Sequence, residues 1–399
     1  MMDFLPMGFQ YYRAPTPLRK NWETDLKKIR EDGFNTVKFW AQWRWNEPRE
    51  GRYDFSDLDE LMDLAADNGL KVVLNLILDV APVWLFNKYP DAVMITNGGE
   101  RMEPRATEYR QIGGVPGPCF HHRQATELRK RFVEACAAHF ADHPALWVWD
   151  VWNEPELSVG LKREPKEADL LCYCPESIRA FREWLARKYG DIETLNTRWG
   201  RNYSSFGEVE PARRRGTTMD MIDWRMFFNQ TLTEDFSMRI QAVKKFDLRH
   251  PVMCHTVPPP LFNGISCCSD DFAMGAIGDM FVNSVCSSAL ASNLLKSAAK
   301  GKTVINSEIH AVYGSSLNGF YHPDFNDMLR HIFVPMTYGV KGWLLWQYRP
   351  EILGSEAPAW GNVSLKGEDT PWNRDLKKIH AFLKQYEAVI LKNCPKRGK

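Results

Sequence analysis

Two glutamates stand where apolar runs end. Ala145-Leu-Trp-Val-Trp-Asp-Val-Trp152 reads as a buried strand leading directly into Asn153-Glu154-Pro155, and Lys302-Thr-Val-Ile-Asn-Ser307 delivers Glu308 in the same way. A carboxylate at the exit of a buried strand is placed for chemistry. Cleaving a bond between unactivated sugars requires a proton for the leaving oxygen and a carboxylate facing the anomeric carbon, and two carboxyl groups suffice. About 5–5.5 Å apart, the second acts as a nucleophile and the configuration is retained. The tetrapeptide Trp152-Asn-Glu-Pro155 occurs a second time as Trp45-Asn-Glu-Pro48. Position separates the two copies. Glu154 follows its strand at once, whereas Glu47 falls several residues beyond one, in a loop leading to Glu50-Gly-Arg-Tyr-Asp-Phe55, and reads as structural.

The elements that must carry these residues alternate from end to end. Short β-branched and aromatic runs predict strands over Phe4–Tyr11, Asn35–Ala41, Lys71–Leu78, Ala145–Trp152, Pro251–Thr256, Asp279–Ser284, Lys302–Ser307 and Gly342–Gln347. Helical periodicity predicts helices over Asn21–Asp32, Asp57–Asn68, Ala125–Ala141, Glu176–Tyr189, Met219–Lys245, Asp324–Tyr338 and Trp372–Leu391. Gly33, Gly69 and Gly190 follow helical runs as stop signals. Eight such units without a composition break predict an α/β fold, a closed (β/α)8 TIM barrel forming one catalytic domain over residues 1–399. A long loop, Ala81–Arg123, follows strand three, and extra helices follow strand four. Loops of that length are usually functional, and this one would lie on the C-terminal face where barrel active sites are built. There the ends of strands four and seven face each other, which sets Glu154 opposite Glu308.

Composition narrows the partner. With 51 basic against 50 acidic residues and a net charge of +1, nothing favours nucleic acid or an anionic membrane, and a neutral molecule is expected. Aromatic residues make up 13% of the chain, including 15 Trp, which suits stacking on sugar rings as well as a large core. Residues 1–8 show no secretory pattern and no run is long enough to span a membrane, so a cytoplasmic location is expected. Nine Cys, an odd number in a chain this long, read as reduced thiols rather than a disulfide framework.

The chain resembles the catalytic barrel of glycoside hydrolase family 42, the β-galactosidases of the large clan of retaining (β/α)8 glycosidases. The resemblance is carried by Gly8-Phe-Gln-Tyr-Tyr12, Trp45–Phe55, Ala81-Pro-Val-Trp-Leu85, Asn153-Glu154, the stretch from Cys172 to Gly190, and Leu195-Asn-Thr-Arg-Trp-Gly200. It implies a retaining exo-β-glycosidase with Glu154 as acid/base, Glu308 as nucleophile and Asn153 on the sugar 2-hydroxyl. An endo-acting β-glycanase of the same clan and a carbohydrate-binding pseudoenzyme are the alternatives. Tyr12 on strand one and Trp346 at the end of strand eight are further sugar contacts by the same resemblance, Trp346 as the platform under the cleft. His310 would point near the mouth if the chain past Glu308 stays extended; a loop histidine satisfied by backbone is the other reading. Trp84 and Trp360 either line the pocket or pack a loop.

The resemblance also implies departures. No cofactor is needed for catalysis, but the family's zinc cluster has four cysteines. Here Cys119, Cys172 and Cys174 match while Ser177 takes the fourth position, so that His121, His122 or Glu176 would have to complete a structural zinc. Glu356 matches the residue that grips the sugar's outer hydroxyls, yet Ala359-Trp360 stands where a histidine is expected. An arginine expected just before Cys119 is missing, with Arg110 or Arg123 as substitutes. For partners, the resemblance implies a neutral oligosaccharide or β-glycoside and a homo-oligomer.

Overall fold

The computed structural model describes residues 2–102, 117–157, 170–214, 218–256, 267–284, 287–310, 313–315, 319–321, 324–353, 357–358 and 360–392. Eight parallel strands close into a barrel: β1 (Met7–Arg13), β2 (Thr36–Gln42), β3 (Lys71–Ile77), β4 (Leu146–Asn153), β5 (Val252–Thr256), β6 (Phe281–Ser284), β7 (Val304–His310) and β10 (Trp343–Trp346). A two-stranded hairpin of β8 (Tyr313–Ser315) and β9 (Gly319–Tyr321) is inserted between the last two. Each strand forms where the sequence predicts it, displaced by a few residues. β1 starts later than Phe4 because Pro6 has no N–H to give a ladder; its carbonyl instead accepts from Trp343. A Cβ at Gly8 would lie 1.6 Å from the Thr36 carbonyl oxygen, so only glycine lets β1 pair with β2 there.

Between the strands run α1 (Trp22–Glu31), α2 (Trp43–Asn46), α3 (Ser56–Asp67), α4 (Val83–Lys88), α5 (Arg123–Phe140), α6 (Pro175–Tyr189), α7 (Ile192–Trp199) and α8 (Met219–Lys244), with further helices over Asp271–Ile277, Ala289–Ala298, Phe325–Thr337 and Pro371–Gln385. The predicted helix Trp372–Leu391 is interrupted at Tyr386, and a separate turn of helix covers Glu387–Lys392. The segment Ala81–Arg123 is not all loop: Pro82 caps α4, and residues 103–116 lie outside the described part. Extra helices α6 and α7 do follow β4.

Apolar side chains pack at three levels. Strand exteriors and helix faces form the large outer layer; Val73, Val148, Met253, Met280, Val282, Ile305 and Leu344 fill the barrel floor; Trp40, Ile77, Val80, Trp346 and Trp360 gather at the mouth. Between floor and mouth the inward positions are polar, with Gln10, Lys38, Asn75, Asp150 and His255 all fully buried. Such groups are costly to bury unless they are paired, and these lie beneath the C-terminal face on which barrel sites are built.

Candidate active site

The carboxylates are placed by irregularities in two strands. In β4 the pairing with β5 slips between Asp150 and Asn153. Trp152 turns outward onto the Arg239 guanidinium, 3.6 Å from its ring, while Asn153 stays buried. Arg239 donates to the Val151 carbonyl at 2.9 Å and is paired with Asp235, which also takes Arg129 at 2.9 Å, so α5 and α8 clamp the strand just before its catalytic-looking end. Glu154 then adopts φ +48°, a left-handed conformation that a non-glycine residue holds at some cost, with its N–H donating to the His255 carbonyl at 2.7 Å. In β7 a second slip sets Glu308 opposite Ser284 of β6. The chain stays extended through His310.

Together these bring a carboxylate oxygen of Glu154, one of Glu308 and a ring nitrogen of His255 within 4.8 Å of one another. Glu308 is held from three sides. Gln10 Nε2 donates to Oε2 at 2.9 Å, His310 Nε2 lies 3.2 Å from Oε1, and His255 Nε2 lies 3.5 Å from Oε2. The electrostatics divide the pair. Burial raises the Glu154 pKa above the usual carboxylate range and the charge on Glu308 raises it further, against the pull of His255 and His310. Burial works in the same direction on Glu308, but the His255 and His310 imidazoles set against that residue outweigh burial and hold its carboxyl well below the usual range. One carboxyl is thus disposed to keep its proton and the other to give it up, which is the division an acid/base and nucleophile require.

One wall of the mouth is aromatic. The rings of Trp40 and Trp346 lie 5.4 Å apart, Trp360 is 6.4 Å from Trp346 and 5.6 Å from the His310 imidazole, and the Arg13 guanidinium covers one face of Trp346 at 4.6 Å. Trp40 Nε1 donates to Gln10 Oε1, tying the wall to the residue that holds Glu308. Asn153 Oδ1, Gln347 Nε2 and Trp360 Nε1 are buried with no hydrogen-bond partner among the described residues. Groups of that kind fit hydroxyls of a bound molecule.

Tyr12, expected as a sugar contact, faces away. A register shift in β1 between Gln10 and Tyr12 turns Tyr11 and Tyr12 both outward, where Tyr11 donates to Asp25 of α1 and Tyr12 donates to Asp57 of α3 at 2.6 Å. Glu356, Ala359 and Arg110 lie outside the described residues, and Arg123 is an exposed residue opening α5. Glu47 is buried and accepts from Trp43 Nε1 at 2.6 Å and from the Gly51 N–H at 2.8 Å, closing its own loop. Trp84 packs that loop from outside, donating to the Glu47 carbonyl. Gln10, Arg13, Lys38, Asp150 and His255 also build the site, without being marked by any motif in the sequence. A signal was present for two of them, since Lys38 and Asp150 are charged residues in the middle of otherwise buried strands.

Away from the mouth, Cys119, Cys172 and Cys174 converge, with each pair of Sγ atoms within 4.8 Å and Cys119 to Cys174 at 3.2 Å. Cys174 caps α6, accepting from the Ser177 N–H, and hydrogen bonds from Cys119 and Cys172 lower the pKa of its thiol. Ser177 Oγ lies 3.3 Å from both Cys119 and Cys174, with His121 Nδ1 3.0 Å behind it. His122 and Glu176 are committed elsewhere: His122 caps α5 and Glu176 pairs with Arg179 on the surface. Three thiols supply three of the four ligands a structural zinc takes; a serine hydroxyl is not a usual fourth, and the His121 ring nitrogen 3.0 Å from Ser177 Oγ is placed to complete the set.

The family model for the β-galactosidases of glycoside hydrolase family 42 matches residues 11–386. A β-galactosidase of an Arthrobacter species is 27% identical over 402 aligned positions, covering 96% of this chain and 54% of that protein. One from Geobacillus kaustophilus is 30% identical over 240, covering 58% of this chain and 33% of the relative. This chain therefore spans about half, or less, of the relatives' length. Among solved structures, the β-galactosidase of Bacillus circulans sp. alkalophilus superposes with a TM-score of 0.82 at 20% identity, covering 98% of this chain and 57% of that one. An exo-carrageenase from Bacteroides ovatus superposes with a TM-score of 0.70 at 17% identity, covering 96% and 51%. The structural likenesses establish the barrel, and because the family model runs through nearly the whole chain, this protein belongs to glycoside hydrolase family 42.

Proposed function

We propose that the chain is a retaining exo-β-glycosidase of β-galactosidase type, with Glu154 as acid/base and Glu308 as nucleophile. The observation that carries this reading is the carboxyl pair within 4.8 Å, one member disposed to be protonated and the other ionised. A separation that short leaves no room for a water between the carboxyls, as an inverting enzyme requires. In the first step Glu308 attacks the anomeric carbon as the glycosidic bond breaks, and the Glu154 proton passes to the departing oxygen. In the second, Glu154 takes a proton from water, whose oxygen displaces Glu308 and restores the starting configuration. Asn153 Oδ1, buried and available as an acceptor, serves the sugar 2-hydroxyl. Trp346, Trp360 and His310 line the side of the sugar next to Glu308.

The substrate is a neutral β-glycoside, with galactose as first glycon. Cys119, Cys172 and Cys174 hold a structural zinc with Ser177 Oγ or His121 at the fourth corner, which would tie the loop before α5 to the start of α6; it has no part in the reaction. The test of the functional reading is a panel of aryl β-glycosides (galactoside, glucoside, mannoside, fucoside, arabinoside), assayed on wild type and Glu308→Gln with the product anomer read by NMR. Turnover with retention in wild type and loss in the variant is expected. Inversion, or equal activity in both, would reject the assignment.

A further inference from the structure

The polar layer below the mouth contains a connected set of charges. Lys38 Nζ on β2 lies 2.7 Å from Asp150 Oδ2 on β4 and 2.8 Å from His255 Nδ1 on β5, and Asp150 Oδ2 is 3.2 Å from the same Nδ1. All three side chains are 0% exposed. A buried Lys–Asp pair is a poor way to stabilise a barrel, because apolar residues like those of the floor beneath it would pack without the desolvation cost.

An ammonium has donors only, so the ring nitrogen 2.8 Å from it presents its lone pair. The proton of neutral His255 is then on Nε2, the nitrogen 3.5 Å from Glu308 Oε2. If His255 takes a second proton, it goes on Nδ1 toward Asp150, and Nε2 keeps its own. In both states a donor faces the carboxylate. At 3.5 Å Nε2 faces Glu308 without a formed hydrogen bond and has no other partner among the described residues, the slack common in a site without substrate. The backbone of the same residue accepts the Glu154 N–H, so one position on β5 touches both glutamates.

We infer that Lys38, Asp150 and His255 are positioning residues, a buried relay that fixes an N–H on His255 Nε2 against Glu308 and so helps set the aim and ionisation of that carboxylate. None of the three reaches the reacting atoms. Among the described residues, the groups facing Glu308 are Gln10 from β1, Glu154 from β4, His255 from β5 and His310 from its own strand. His255 is the one among them whose donor is fixed by charges deeper in the barrel.

The inference rests on the proposed glycosidase reading, and the experiment separates the two. His255→Phe removes the donor; His255→Gln replaces it with an amide N–H; Lys38→Met/Asp150→Asn removes the relay without leaving a buried charge unpaired. With the best aryl β-glycoside, kcat/KM in His255→Phe and in the double variant should fall roughly ten- to a hundredfold, and the acidic limb of its pH profile should move upward. His255→Gln should bring the limb back toward wild type. An acidic limb unmoved in both defective variants overturns the inference, whatever the loss of rate. Independently of turnover, ¹⁵N-histidine spectra of wild type, with His255 assigned through His255→Gln, should show Nε2 protonated throughout the accessible pH range. A neutral Nδ1–H tautomer overturns the relay. Failure of folded wild type to cleave any glycoside would count against the functional reading, and the tautomer would still decide the relay.

Discussion

Glu154→Ala separates the roles of the two carboxyls most sharply. The variant removes the group that protonates the leaving oxygen, a contribution of roughly 10²–10⁴-fold, or about 2.7–5.5 kcal/mol of barrier. That loss should fall in full on glycosides with poor leaving groups and nearly vanish for an aryl glycoside whose phenolate departs unaided. A second consequence follows from the distance. Two unit charges no more than 4.8 Å apart repel by at least ~3.5 kcal/mol at an effective dielectric constant of 20, and because Glu308 ionises first, that repulsion falls on Glu154 and keeps its proton on. The acidic limb of kcat/KM, which reports Glu308 ionising beside a neutral Glu154, should therefore stay near its wild-type position, while the basic limb, which reports Glu154 losing its proton, should disappear. Azide, entering where the carboxylate stood, should restore turnover and leave a β-glycosyl azide, since it attacks the glycosyl-enzyme from the face Glu154 guards. Steady-state kinetics on a leaving-group series across pH, with NMR of the azide product, measure all of this. An α-azide, a uniform loss over every leaving group, or a retained basic limb would refute the assignment. So would the same pattern in Glu47→Ala, the residue in the repeated tetrapeptide.

In wild type, activity should be bell-shaped in pH, lost as pH falls through the Glu308 pKa, held below the usual carboxylate range, and lost as pH rises through that of Glu154, held above it; a single limb in kcat/KM profiles would contradict this. Glu47→Gln weakens buried bonds to Trp43 and Gly51 and should cost about 1.5–3 kcal/mol of stability in denaturant unfolding, with kcat of the folded fraction unchanged. Tyr12→Phe should cost about 1 kcal/mol through the lost bond to Asp57 and leave KM alone; a raised KM would return Tyr12 to the sugar site. Cys172→Ser/Cys174→Ser should abolish bound zinc by elemental analysis and lower Tm with little change in kcat, whereas equal, near-zero zinc in both proteins would leave the three thiols as a reduced cluster. With Trp360 where a histidine is expected, the preference for galactoside over fucoside, arabinoside, glucoside and mannoside should be shallow, because apolar shape discriminates by only ~1–3 kcal/mol per methylene-sized difference. A galactoside preference of several orders of magnitude over all four would show that the replacement does not matter.

What the sequence made legible is what periodicity and strand ends encode. Alternating apolar runs placed the eight strands, and Glu154 and Glu308 stood out because each directly followed such a run. Strand irregularity was not legible. The slip in β4 that carries Asn153 inward and the slip in β1 that turns Tyr12 outward each reverse a face, and neither has a composition cue, so the sequence alone points Tyr12 to the wrong face. Lys38 and Asp150 illustrate a different limit. Each is conspicuous alone as a charge inside a buried strand, but they lie far apart in sequence, and His255 completes their set from a third strand. Only barrel closure, which brings β2, β4 and β5 around one interior, shows that the three are a single device. Its output is a donor at the nucleophile, so the charges hardest to justify by stability, those at 0% exposure below the mouth, are also the ones whose removal should be felt as a displaced pH limb rather than as an altered fold.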